Sequence, residues 1–145
     1  MSECEAVSSR TFNTSFRVSW ADTDAAQVVH FSNYLRFFEK AEEEFYRNLG
    51  FSFTDAKLTR GLWFPRVEVF CQYKKPARFN DLIEVELSIE ELKEKSVKYG
   101  FRIVNQETGV LLANGYTVIV AADKQTAKAT QIPSEIVEKL KPFTK

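Results

Sequence analysis

The chain has 145 residues, enough for a compact domain that buries roughly two thirds of the surface its unfolded form exposes, so disulfide or metal staples are not required. Twenty acidic and twenty basic residues give a formal net charge of zero, which excludes a global pull toward nucleic acid or anionic membranes and leaves any anion site to a local grouping of cations. Cys4 and Cys71 lie far apart without metal-ligand spacing, the pattern of free thiols in a reducing compartment. Residues 1–10 are polar and lack the apolar run of a signal peptide, and no apolar run approaches the ~20 residues of a membrane span. The expectation is a cytoplasmic protein, with a flexible N-terminal tail over residues 1–10 and a single domain over 11–145.

From Phe12 to Trp20 the apolar residues alternate, with Phe12, Phe16, Val18 and Trp20 sharing a face with Thr14, which predicts a strand with one wet face. A polar elbow follows, Ala21-Asp22-Thr23-Asp24-Ala25-Ala26-Gln27, whose side-chain oxygens suit nearby backbone amides better than a continuing sheet. Ser32 or Asn33 serves as N-cap of a long helix whose Tyr34, Phe38, Ala41, Phe45 and Leu49 fall on one face, and Gly50 supplies the stop. The run Glu42-Glu43-Glu44 reads as solvated surface, because neighbouring residues on a helix point in different directions. From Tyr34 to Leu49 the helix spans about 24 Å, enough to cross several strands.

Phe51 to Gly61 reads as a connector, and four strands follow it. Arg66–Tyr73 ends at Lys74-Lys75-Pro76, since proline stops a ladder. Leu82–Leu92 alternates Ile83, Val85, Leu87 and Ile89 with Glu84, Glu86, Ser88 and Glu90; Val97, Tyr99, Phe101 and Ile103 repeat the period; Asn105–Gly109 is a hairpin turn; Val110–Ala122 is a long last strand. Clean alternation predicts an antiparallel sheet with one face covered, and the other face of the last strand, with Leu111 and Ile119, is expected to need cover. Ile132-Pro133-Ser134-Glu135 opens a short helix through Leu140. The fold class is α+β.

In this order the elements resemble a hotdog-fold acyl-CoA thioesterase of the 4-hydroxybenzoyl-CoA thioesterase type. The stretch Asp22-Thr23-Asp24-Ala25-Ala26-Gln27-Val28-Val29-His30-Phe31-Ser32-Asn33-Tyr34 is similar to that family's Asp-x-Asp, small residues, Gly, two β-branched residues and Asn-Tyr opening the helix, and Phe64-Pro65, Pro76-Ala77-Arg78-Phe79 and Ile132-Pro133 stand at family-like places. The resemblance implies a five-stranded antiparallel sheet wrapped around one long central helix. It departs at Gln27, where a Gly is usual, and at His30, which stands one residue before the position where a related branch carries its histidine, so that histidine's role is not transferred. The order Val-Val-His-Phe looks more like the branch acting on aromatic substrates, including 1,4-dihydroxy-2-naphthoyl-CoA.

Thioester hydrolysis needs a nucleophile, or a base that activates water, and a donor for the oxyanion. The resemblance assigns the acid to Asp24, as nucleophile or general base, and the oxyanion donor to the backbone N–H of Phe31, at the positive end of the helix. Asp22 and Gln27 are structural at this site, Asp22 as a brace of the bend. His30, Tyr34, Trp63 and Phe64 are expected at the acyl group, and Lys95 and Lys128 at the phosphates of coenzyme A. By residue type alone Asp24 reads as a turn or capping residue, His30 as a packed or polar-edge side chain, and each lysine as an exposed turn residue. Neither a metal nor any other cofactor is implied, the CoA thioester being the substrate, and self-association as a dimer or tetramer is. The replacement of glycine by Gln27 motivates an alternative, a non-catalytic module that binds acyl-CoA or an aromatic ligand.

Overall fold

The computed structural model describes residues 10–145, so Cys4 and all of the expected tail but Arg10 lie outside the described residues. Strand β1 (Phe12–Arg17) leads through a 3-10 turn (Trp20–Asp22) and the elbow into helix α1 (Asn33–Leu49). Then come a short helix α2 (Ala56–Thr59), β2 (Leu62–Trp63), β3 (Arg66–Tyr73), β4 (Leu82–Leu92), β5 (Ser96–Asn105), β6 (Leu111–Val120), β7 (Ala122–Asp123) and α3 (Ser134–Leu140). Five strands form one antiparallel sheet in the order β1-β4-β5-β6-β3, and β2 pairs with β7 in a small second ribbon. Between β1 at one edge and β3 at the other, the chain crosses the sheet as α1.

Burial is what holds α1, because an isolated 17-residue helix rich in charge is marginal in water. Its Phe37, Phe38, Ala41 and Phe45 are almost fully buried, as are the facing Ile83, Val85, Leu87 and Ile89 of β4 and Val97, Tyr99, Phe101 and Ile103 of β5. Phe38 stacks on Phe101 with ring centroids 4.4 Å apart. At the far end Gly50, with φ 85°, donates to the Tyr46 and Arg47 carbonyls and closes the helix.

Three expectations are corrected. Trp20 leaves the strand face for the 3-10 turn and is largely exposed, since β1 stops pairing with β4 at Arg17. Ile119 faces the helix and is buried; the opposite face is polar, with Glu86 beside Arg102 at 3.5 Å, Glu90 beside Lys98 at 3.8 Å and the Lys98 ammonium 4.2 Å from the Tyr116 ring centroid. The apolar surface that lacks cover is instead on β3, where Val67, Val69, Phe70 and Tyr73 are all exposed and one backbone edge has no neighbouring strand among the described residues.

The third correction concerns Glu42, which is 3% exposed rather than solvated. Its carboxylate accepts from the Arg66 guanidinium at 2.6 Å and from the Tyr46 hydroxyl at 2.5 Å, and Tyr46 stands 2.8 Å from the Tyr99 hydroxyl. Arg66 reaches in from β3, so the pair ties the open edge strand to the middle of α1. Burial pushes the Glu42 carboxyl above the usual range, against the opposing pull of Arg66 and the Tyr46 hydrogen bond. With the folded value above the unfolded one, the folded state holds a proton that the unfolded state has lost, from about pH 4.5 up to the raised folded value. Stability from this group therefore falls as pH rises through that window. Glu42→Gln is expected to flatten this part of the stability profile, as measured by urea unfolding at a series of pH values.

Candidate active site

The elbow is shaped by short-range hydrogen bonds. Ser19 N–H donates to Asp22 Oδ2 at 3.1 Å, and the Asp22 carbonyl in turn accepts from His30 N–H at 3.0 Å and Asn33 Nδ2 at 2.9 Å. Asp22 thus joins the end of the first strand to the start of α1. One step further on, Asp24 Oδ1 accepts from Ala26 N–H at 2.8 Å, and the turn closes through Gln27 N–H to the Asp24 carbonyl and Asp24 N–H to the Val28 carbonyl, both at 2.9 Å. This use of Oδ1 orients the carboxylate and leaves Oδ2 without a partner among the described residues.

Gln27 has φ 68°, the left-handed region in which a glycine is favoured at such a turn. It adopts that conformation with an exposed side chain and does not line the cavity described below. After it, Val29 N–H donates to the Ala77 carbonyl at 2.8 Å and the Tyr34 hydroxyl accepts from Ala77 N–H at 3.1 Å. These bonds press the elbow against the connection between β3 and β4.

At the mouth of α1 the N-cap position belongs to Ser32, but its side chain does not cap. Instead His30 Nδ1 accepts from Ser32 N–H at 3.2 Å and lies 2.8 Å from Ser32 Oγ. A ring nitrogen that accepts is unprotonated, so these contacts assign the His30 proton to Nε2. His30 also stacks on Phe31, with centroids 4.4 Å apart. The His30 carbonyl accepts from Asn33 N–H at 2.9 Å, while Phe31 N–H has no partner among the described residues.

A cavity of about 340 Å³ opens here, lined by Asp24, Val28, Val29, Phe31, Tyr34, Tyr73, Lys74, Lys75 and Pro76. Asp24 and Phe31, one with a carboxylate oxygen and the other with a backbone N–H unpaired among the described residues, thus line one space beside the positive end of a helix. Such an arrangement suits attack on a carbonyl and stabilisation of the oxyanion that results.

The other expected contacts lie elsewhere in the chain. Phe64 stacks on Phe53 at 4.3 Å, and Phe53 packs on Tyr46 near the end of α1; Trp63 pairs with Ala122. Lys95 sits in the β4–β5 turn, where its carbonyl accepts from Ala121 N–H, and the Lys128 carbonyl accepts from Asp123 N–H. All four gather at the end of the sheet remote from the elbow, about 30 Å away along the ten residues of β5. A single subunit does not bring them to Asp24. Lys74, Lys75 and Tyr73, which do border the cavity, read in the sequence only as the end of a strand; the signal available was the cationic pair directly before Pro76-Ala77-Arg78.

Residues 18–140 match the family model described as the thioesterase-like superfamily, and the chain belongs to that family. The acyl-CoA thioester hydrolase YbgC of Escherichia coli is 32% identical over 130 residues, which cover 90% of this chain and 96% of that protein. Among solved structures, a gentisyl-coenzyme A thioesterase aligns at 34% identity with a TM-score of 0.75, covering 86% of this chain and 98% of the other. A 1,4-dihydroxy-2-naphthoyl-CoA thioesterase from Synechocystis aligns with a TM-score of 0.85, covering 90% and 96%; at 24% identity it speaks to the fold alone. The hotdog fold expected from the elbow motif is the fold found.

The left-handed backbone at Gln27 carries its own test. Gln27→Gly is expected to stabilise the protein by about 0.5–1 kcal/mol, a rise of roughly 2–4 °C in Tm, because relief of the left-handed conformation outweighs the added chain entropy. Gln27→Val should lower Tm, since a β-branched residue tolerates that backbone least. Differential scanning calorimetry of the two variants checks both.

Proposed function

We propose that the protein hydrolyses acyl-CoA thioesters to the free acid and coenzyme A, using Asp24 and the Phe31 N–H. The observation that carries this reading is that Asp24 and Phe31, which keep an unpaired carboxylate oxygen and an unpaired amide among the described residues, line one cavity. Phe31 N–H takes the developing oxyanion. Asp24 Oδ2 either attacks the carbonyl, giving a mixed anhydride that water then cleaves, or removes a proton from the attacking water; in both routes the C–S bond breaks and CoA leaves as the thiol. The proposed steps use the chain's own groups, without metal or redox cofactor.

An aryl acyl group is favoured by the aromatic residues that border the cavity, Phe31, Tyr34 and Tyr73, and by the gentisyl-coenzyme A thioesterase among the relatives. The binding-only alternative rested on Gln27, and it is weakened because Gln27 adopts the backbone conformation a glycine would. A cytoplasmic location, and a single catalytic domain over residues 11–145, are part of the same reading. Cys71 has no disulfide partner among the described residues, and no described helix is long and apolar enough to cross a membrane.

The proposed working unit is at least a dimer, formed by pairing the open edges of β3. Two antiparallel copies of β3 around a twofold axis set the partner's β2 end beside this chain's elbow. Trp63, Phe64, Lys95 and Lys128 of one copy then approach Asp24 of the other, with Lys74 and Lys75 already at the rim to meet phosphate. Support comes from the exposed Val67, Val69 and Phe70, apolar residues on both faces of an unpaired edge. Association of two such dimers gives the tetramer.

Asp24→Asn is expected to bind acyl-CoA while losing at least ~100-fold in turnover, the lower end of what a nucleophile or general base contributes. Release of free thiol across a panel of aryl- and alkyl-CoA substrates measures it, and wild-type rates in the variant remove Asp24 from the mechanism. Val69→Lys places a charge on the exposed edge and is expected to give folded monomers with little activity, seen by light scattering and the same assay. A fully active Val69→Lys monomer overturns the shared-site reading.

A further inference from the structure

The Tyr73 hydroxyl donates to the Phe31 carbonyl at 2.9 Å, across 42 residues of chain. Phe31 lies just before α1, which begins at Asn33. A residue there faces a choice, because the first turn of a helix has amides without internal partners. Its carbonyl can accept an amide of the first turn, which would carry the helix back by a residue, or it can accept a donor from outside. Here the outside donor holds it, which fixes the Phe31–Ser32 peptide unit, and the Phe31 N–H, carried by the preceding peptide unit, has no partner among the described residues.

We infer that Tyr73 is a positioning residue of this site: by holding the Phe31 carbonyl it fixes the orientation of the Phe31 N–H toward the thioester oxygen. The inference rests on the reading of Phe31 as oxyanion donor given above. Two further contacts make the device stiff. The Tyr73 ring meets Tyr34 edge to face at 5.0 Å, and Tyr34 is itself bonded to the Ala77 amide. On the other side of the same turn, the His30 carbonyl accepts from Asn33 N–H, which fixes the peptide unit that carries the Phe31 N–H and polarises it as a donor.

Tyr73 ends β3, paired with Ala113 of β6, and the two strands lie close together. An added Cβ at Gly115 would stand 2.0 Å from the Phe70 carbonyl, so only glycine admits the backbone there. Partial burial, with the neighbouring Cys71 thiol, pushes the Tyr73 hydroxyl up to about 12. It therefore stays a neutral donor at working pH and adds no alkaline limb to the rate profile.

Tyr73→Phe keeps the ring and removes only the hydroxyl. The expected result is a kcat about 10- to 100-fold lower, below the 10²–10³ attributed to complete loss of one oxyanion donor, with KM within about twofold and an unchanged pH profile. Replacement by 3-fluorotyrosine, which keeps the hydroxyl, is expected to retain at least about half of the wild-type kcat. The direct readout is the infrared carbonyl stretch of a CoA ketone analogue, with methylene in place of sulfur, bound to wild type and to Tyr73→Phe. The shift to lower frequency on binding should shrink in the variant. An unchanged kcat, an unchanged carbonyl frequency, or loss of an alkaline limb in Tyr73→Phe overturns the inference. The ketone requires no hydrolysis, so it judges Tyr73 even where Asp24→Asn or the substrate panel refutes the catalytic reading.

Discussion

Both backbone groups of Ala77 are spent on the elbow. Its carbonyl accepts from Val29 N–H and its N–H donates to the Tyr34 hydroxyl, and the residue itself is fully buried. Together with the Val28–Arg78 bridge and the Tyr73 bond to the Phe31 carbonyl, these two bonds tie the segment between β1 and α1 to the β3–β4 side of the fold. With them, Asp24 and Phe31 are fixed against Tyr73 and the lysines of the β3–β4 connection, and a cavity exists. A catalytic geometry needs this kind of support, because a turn alone does not hold reacting groups to within a fraction of an ångström.

Helix α1 serves the fold and the site with different parts. Its middle fills the concave face of the sheet with Phe37, Phe38, Ala41 and Phe45. Its first turn offers unpaired amides and the positive end of the dipole, where an anion is stabilised. His30 enters here as a cap, since its ring nitrogen takes the Ser32 amide and leaves the Phe31 amide as the open donor. In the proposed mechanism this selects the Phe31 amide as the one left to face the substrate.

The edge strand β3 concentrates most of what a single chain leaves unfinished. Its N-terminal residue Arg66 anchors it to the buried Glu42, and its C-terminal residue Tyr73 touches the elbow, so both ends are tied while the middle is open. An exposed apolar edge is a liability that proteins cover or charge, and between Arg66 and Tyr73 this one carries a single charge, Glu68, which accepts from the Tyr116 hydroxyl. Anchored ends with a largely apolar middle suit the proposed pairing of two β3 edges.

Periodicity and punctuation made the secondary structure legible in the residues alone. The alternation of β4 and β5, the helical spacing from Tyr34 to Leu49 and the stop at Gly50 depend on local geometry, which repeats with a fixed period, and the Asp-x-Asp elbow with Asn-Tyr pointed to the family for the same reason. Trp20, Ile119 and Glu42 were read differently from where they lie, because each depends on a partner distant in sequence: where β1 stops pairing with β4, which way β6 faces in the sheet, and whether Arg66 reaches α1. The site divides along the same line. Asp24, Phe31 and Tyr34 are close in the chain, and local pattern sufficed to group them; Tyr73, Lys74 and Lys75 join them only through the Ala77 bonds across the fold. Residue order thus specified the elements and the turn that carries the carboxylate, while tertiary packing decided which distant side chains surround it, because long-range contacts leave no period in the sequence.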